Sequence, residues 1–379
     1  MFKKLLCLSA LCVSFVTNAA DNVVLVTIDG LRWQEVFNGA QLSMIKNEKF
    51  VSNPSKLERD FWHQDIAVRR EKLMPFFWQS IVTQGAVIGD RNKNSNMSVA
   101  NEWYFSYPGY SEILTGFADP KIDSNKKFNN PNITFLEWLN AQKEYKNKVA
   151  SFASWDVFPY IINTDRSKLT VNAGFAKSSE TDNYSQLLNT LQDEIPSPWH
   201  NVRLDSFTYR FAKHNLLKNK PKMTYIALGE TDDFAHDGHY DQYLYAAKRT
   251  DQYLADLWQT IQSTPEYKNN TVMLIVTDHG RGATADDWQH HASEQATTGY
   301  LKSLKDFKKG IIGSEQIWLA AIGPDITPSG ITPTPYEVKQ DQVAATVLTI
   351  LGQDAKQFSA VAGKPINFIL KKYQQHASL

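Results

Sequence analysis

Short apolar runs, most of them β-branched, recur along the chain and are separated by stretches of helical periodicity. Residues 22–28 (NVVLVTI) are apolar without alternation, the pattern of a strand covered on both faces. Residues 148–154, 223–228, 271–277 and 317–322 repeat it. Between these runs, 71–84, 134–146 and 204–217 carry partial 3.6-residue periodicity and predict helices. The longest predicted helix covers 240–263, with Leu244, Leu254, Leu257 and Ile261 on one stripe. A further helix is expected over 341–351, after Pro335 and before the stop signal Gly352. Strands alternating with helices predict an α/β fold, with a central, mostly parallel sheet flanked by helices on both faces. The polar stretches 40–65 and 165–182 read as surface insertions, and the chain shows no repeat or low-complexity tract. One catalytic domain is expected over 21–379.

The first twenty residues do not fit this alternation. Lys3 and Lys4 precede an apolar run from Leu5 to Val16, and Asn18-Ala19-Ala20 resembles a cleavage site. The run is too short to span a bilayer and predicts a secretory signal peptide over 1–20. Both cysteines, Cys7 and Cys12, fall inside it. The expected product is periplasmic or secreted, not inserted in a membrane, and without any thiolate to offer as ligand or nucleophile.

With 42% hydrophobic residues, 10 Trp, 16 Tyr and 20 Phe, the chain can bury a large core, which excludes intrinsic disorder. Its 40 basic and 40 acidic side chains balance, and losing the leader would leave a net charge near −2. That removes the electrostatic case for binding a nucleic-acid duplex.

Three apolar runs end directly in acids: Ile28-Asp29-Gly30, Leu228-Gly229-Glu230-Thr231-Asp232-Asp233 with His236 beyond, and Thr277-Asp278-His279-Gly280. In open parallel sheets, ligands sit beyond the carboxyl ends of the strands, so these acids should share one edge. Read singly, Asp29 is a helix cap or turn former, Asp278-His279 a hydrogen-bonded pair, and His236 the start of the next helix. Read together, they form a carboxylate cluster that would repel itself unless it held cations. The mix of carboxylate and imidazole suits zinc better than magnesium. A further segment, Trp103-Tyr104-Phe105-Ser106-Tyr107-Pro108-Gly109-Tyr110, sets a serine before an aromatic-Pro-Gly turn at a helix start, where backbone N–H groups favour an anion.

These segments, with Thr115-Gly116 after the serine turn, resemble the alkaline phosphatase superfamily, in the style of its nucleotide pyrophosphatase/phosphodiesterase branch. The matches run from Asp29 to about His291, in order. The resemblance implies an alkaline-phosphatase-like fold and two divalent metal ions. Asp29, Asp278, His279 and the Ser106 oxygen would hold one, and Asp232, His236 and a late histidine the other. That histidine is taken as His291, with His290 as fallback and His376 as a poor third choice, although members of the family place it much later in the chain. His239 is a candidate for a supporting role. Asn125 sits where the family places an asparagine that contacts a phosphoryl oxygen.

The implied reaction is metal-dependent hydrolysis of small phosphate mono- or diesters through a phosphoserine on Ser106, with Asn125 and the Tyr107 N–H binding the non-bridging oxygens. Trp33, Trp103, Tyr104, Trp155 and Phe158 are candidates for an aromatic pocket, which favours diesters or nucleotides. No compelling Lys or Arg offers itself for a monoester dianion, since Arg32 and Arg281 are equally well read as structural ion pairs. A sulfatase would want Arg where Tyr110 stands. A phosphoryl transferase usually carries membrane spans, and a non-catalytic metal- or phosphate-binding module is the remaining alternative.

Overall fold

The computed structural model describes residues 20–374, so the leader expected over 1–20 lies, apart from Ala20, outside the described residues, as does His376. Eight strands form one sheet: β1 (Asn22–Ile28), β2 (Ala86–Ile88), β3 (Val149–Ala153), β4 (Thr170–Ala173), β5 (Met223–Leu228), β6 (Thr271–Val276), β7 (Leu319–Ile322) and β8 (Gly330–Ile331). Their order is β8-β2-β7-β6-β1-β5-β3-β4, and only β7 runs against the others among the described strands. The fold is thus the mostly parallel, helix-flanked α/β architecture expected from the sequence.

Every residue of β1 is buried, because both faces of the sheet are covered. Val23 and Leu25 face one core, with Ile113 and Leu114 of α1 (Ser106–Thr115) and Val343 and Val347 of α5 (Gln342–Ile350). Val24, Val26 and Ile28 face the other, with Phe211 and Leu216 of α2 (Asp205–Asn219) and Leu244, Leu254, Leu257 and Ile261 of α4 (Tyr240–Ser263). The stripe read in the sequence is therefore the buried face of α4. Truncating one of these leucines to alanine would cost about 2–5 kcal/mol.

Three segments depart from expectation for local reasons. The helix expected over 71–84 is broken at Pro75, and the N–H groups of Phe76 and Phe77 donate instead to Asp251 of α4, each at 2.8 Å. The run 317–322 splits at Trp318: Gln316–Ile317 joins a small separate sheet, while Leu319–Ile322 is β7. Buried Trp318 donates its indole N–H to the Leu31 carbonyl at 2.8 Å. The stretch 165–182 is more than a surface insertion, since it supplies the edge strand β4.

Candidate active site

Register sets the site. Ile28 lies beside Leu228 in β5, and Thr27 beside Val276 in β6, so three neighbouring strands end level. The residues that follow them converge on one edge. Asp232 and His236 share α3 (Glu230–His236) one turn apart, with His236 Nε2 3.2 Å from Asp232 Oδ2. His279 Nε2 lies 3.2 Å from Asp29 Oδ1, 3.4 Å from Asp278 Oδ2 and 3.8 Å from Asp232 Oδ1.

Ser106 opens α1 and points into this cluster, its Oγ 3.3 Å from His279 Nε2. The helix can approach because Gly109 has no side chain: a Cβ there would lie 2.5 Å from the Asp278 carbonyl oxygen. Gly30 serves the same purpose at a φ of +57°, where a Cβ would meet Asp232 Oδ1 at 2.6 Å. His291 completes the cluster, with Nε2 3.0 Å from His236 Nε2 and its ring stacked on His279 at 3.8 Å. His290 turns away to pack edge-on against Phe307, and His239 is exposed at the start of α4.

The donors suit a cation. His279 Nδ1 donates to the Gly280 carbonyl at 2.8 Å and His291 Nδ1 to the Tyr104 carbonyl at 3.0 Å, which turns both Nε2 atoms toward the carboxylates. Asp29 Oδ1 and Asp278 Oδ2 are buried and accept no hydrogen bond; His279 is near enough to both, but not aligned to donate to either. Two groups of donors each lie within 4.8 Å of one another: Asp232, His236 and His291, and Asp29, Asp232 and His279. Asp232 belongs to both and stands between them. Orphaned carboxylate oxygens beside convergent imidazole Nε2 atoms form a donor set that suits divalent metals, zinc among them.

Charge crowding shows in the proton affinities. Burial, with Asp232 next to it, holds the Asp29 carboxyl above the usual carboxylate range. Burial and Asp29 do the same to Asp278. For Asp232 burial is outweighed by His236 and Arg281, and the group is held well below that range. His279 is pushed up to about 9, because Asp278, Asp29 and Asp232 outweigh burial. A bound cation would take over the role of these protons.

The contact of Tyr110 with a candidate ligand was not legible in the sequence, while Arg281, Arg32 and Asn125 are singled out there. Tyr110, where a sulfatase would want arginine, donates its hydroxyl to Asp29 Oδ2 at 2.8 Å. Arg281 is buried and bonds Asp232 as well as the carbonyls of Trp288 and Gln289. Arg32 pairs with Glu35 and stays structural. Asn125 accepts the Tyr107 N–H at 2.9 Å through Oδ1. This corrects the expectation that the Tyr107 N–H is free for a phosphoryl oxygen, and leaves the Asn125 Nδ2 as the available donor.

Ser106, Asn125, Asp29, Asp232, Asp233, His236 and His291 line one cavity of about 160 Å³, together with Trp155, Asn201, Val202 and Gly229. Of the five aromatics proposed for a pocket, Trp155 alone lines it. Trp103 and Phe158 are buried in the core, and Trp33 bonds Gln316. Neither 40–65 nor 165–182 contributes to the lining; residues 201–202 do.

A model of the type I phosphodiesterase / nucleotide pyrophosphatase family matches residues 44–306. Among solved structures, the wild-type alkaline phosphatase PafA aligns with a TM-score of 0.58 at 12% identity, over 93% of this chain and 99% of that one. A protein in the alkaline phosphatase superfamily from Vibrio parahaemolyticus aligns at 0.52 and 12% identity, over 92% of this chain and 70% of that one. The phosphonate monoester hydrolase SpPMH from Silicibacter pomeroyi gives 0.52 and 12%, over 92% and 76%. At such identities the likeness establishes the fold. No curated protein matches the chain in sequence.

Proposed function

The chain belongs to the type I phosphodiesterase / nucleotide pyrophosphatase family of the alkaline phosphatase superfamily and is a phosphoester hydrolase, and we propose that it is an exported enzyme cleaving phosphate diesters through a phosphoserine on Ser106. The observation that carries this reading is the cavity itself. Ser106 and the crowded carboxylates share it, and among the described residues no Lys or Arg lines it, whereas the carboxylate of Asp233 does. A monoester dianion would meet no compensating cation of the protein there, only the Asp233 carboxyl, which burial and Asp232 hold above the usual carboxylate range. A diester monoanion carries less charge and suits the site better. The aromatic wall of Trp155 supports an aryl or nucleoside substituent.

Asp29, Asp278, His279 and Ser106 would hold one divalent ion, and Asp232, His236 and His291 a second. Such ions, most suitably zinc, supply Lewis acidity that lowers the pKa of the serine hydroxyl and of water and offsets charge on the departing oxygen. The protein's own groups do the rest. Tyr110 fixes Asp29, and α1 aims the Ser106 Oγ into the cavity. The serine oxygen forms a bond to phosphorus while the phosphorus–alkoxide bond breaks, its electron pair leaving with the alcohol. Asn125, oriented by Tyr107, presents Nδ2 to a non-bridging oxygen. Water then cleaves the phosphoserine, and two inversions give net retention.

With zinc supplied, the protein should hydrolyse bis(4-nitrophenyl) phosphate faster than 4-nitrophenyl phosphate. Faster turnover of the monoester by the wild type would overturn the diester assignment. Ser106→Ala should lower turnover by at least about 10³-fold with metal content nearly unchanged. Full activity in that variant would remove Ser106 from its role.

A further inference from the structure

His291 reaches the cluster from a short loop only twelve residues after His279, so something must aim it. Its Nδ1–H donates to the carbonyl of Tyr104, two residues before Ser106, at 3.0 Å. Tyr104 has a φ of +59°, a left-handed conformation that side chains other than glycine seldom adopt. Asn101 holds it there, since the Asn101 Oδ1 accepts the N–H groups of both Trp103 and Tyr104 at 3.0 Å. Asn101 is fixed in turn by Glu112, six residues along α1 from the serine. The buried Glu112 carboxylate accepts the Ala100 N–H, the Asn101 N–H and the Asn101 Nδ2, each at 2.8 Å. On the far side of His291, the Ser293 N–H donates to the Trp103 carbonyl at 3.1 Å.

We propose that Asn101, anchored by Glu112, is a positioning residue for His291: it shapes the 101–104 turn so that the Tyr104 carbonyl accepts the Nδ1–H and Nε2 is turned toward His236 and the cavity. The inference rests on the reading of His291 as a metal donor. It makes the helix that carries the nucleophile also the support of a ligand from another loop, so the serine and the second metal group are set by one rigid piece. A carbonyl can only accept, so the contact admits one tautomer of a neutral His291.

The test is a double-mutant cycle on the full chain, read by zinc affinity against a chromophoric chelator and by the visible spectrum of the cobalt(II) form. Asn101→Ala should weaken one zinc equivalent by about 10–100-fold and alter the cobalt spectrum. In a His291→Ala background, the same change should add nothing further. An unchanged affinity in folded Asn101→Ala, or an equal loss with and without His291, would overturn the proposal. Long-range 1H–15N NMR of histidine-labelled wild type gives an independent reading that needs no variant. Metal-free His291 should carry its proton on Nδ1, and a proton on Nε2 would contradict the mechanism. A wild type that takes up no zinc at all would instead remove the functional reading on which the proposal rests.

Discussion

Two groups of buried acids lie at the same edge of the sheet, and they are built in opposite ways. In the first, Asp205 Oδ1 accepts the Ser154 hydroxyl and the Gly229 N–H, while Oδ2 accepts the Glu230 N–H. Glu230 accepts the Asp205 N–H at 3.0 Å and the Arg249 guanidinium at 2.6 Å, so all four oxygens have partners. In the second, Asp29 Oδ1 and Asp278 Oδ2 have none. The first group braces the turn that launches α3; the second leaves donors unspent. A fold that satisfies one pair of carboxylates fully and leaves one oxygen of each neighbour unpaired offers those oxygens to a cation, which is the reading proposed above.

Each difference can be broken experimentally. Dialysis against a chelator should abolish activity, by more than about 10³-fold, and zinc should restore it. Zinc at 100 times its dissociation constant should also stabilise the fold by about 2.7 kcal/mol per site, read as a rise in Tm. A thermal shift that ignores zinc would dissolve the contrast between the clusters.

A smaller effect comes from Asp205→Asn, which puts an amide against N–H donors in the satisfied group. Denaturant unfolding should show a loss of about 2–3 kcal/mol, with zinc uptake retained. An equal loss of zinc would mean that the two groups act as one.

The pH dependence separates them next. Burial, with Glu230 beside it, pushes Asp205 up to about 7, and Asp29 and Asp278 are raised by burial and their carboxylate neighbours. Above pH ~4 the unfolded chain has lost these protons while the folded chain keeps them. The metal-free protein should therefore lose stability as pH rises from ~4 toward 7, by about 1.4 kcal/mol per pH unit for each such group. Zinc should remove the share owed to Asp29 and Asp278, leaving that of Asp205 and of Glu112 and Asp251, which burial likewise pushes up to about 7. Urea midpoints across that range, with and without zinc, measure the difference; identical slopes would contradict it. The smallest effect is Asp278→Asn, which should stabilise the metal-free protein by about 1 kcal/mol by removing a buried carboxyl that burial and Asp29 disfavour as an anion.

What was legible in the sequence was what depends on strand pattern. Asp29, Asp232 and Asp278 could be read as neighbours because apolar runs ended in them and parallel register brought those ends level. The helix over 240–263 was legible for the same reason, its stripe being the face that packs on the sheet. Features set by tertiary contact were not. The edge strand β4 is four residues long and partly exposed, and nothing local marks TVNA as paired with β3. The His290-His291 doublet has no periodicity to choose between them, and only the Tyr104 carbonyl and the Phe307 ring send the two apart. Asn201 reaches the cavity through loop packing that no motif announces.

The most direct test of the account is the zinc content of the purified, zinc-equilibrated protein beside its Asp278→Asn variant, measured by elemental analysis. Two equivalents per chain in the wild type, with one lost in the variant, are predicted. No bound zinc in the wild type, or an unchanged content in the variant, would contradict the claim that the orphaned carboxylates are there to hold metal.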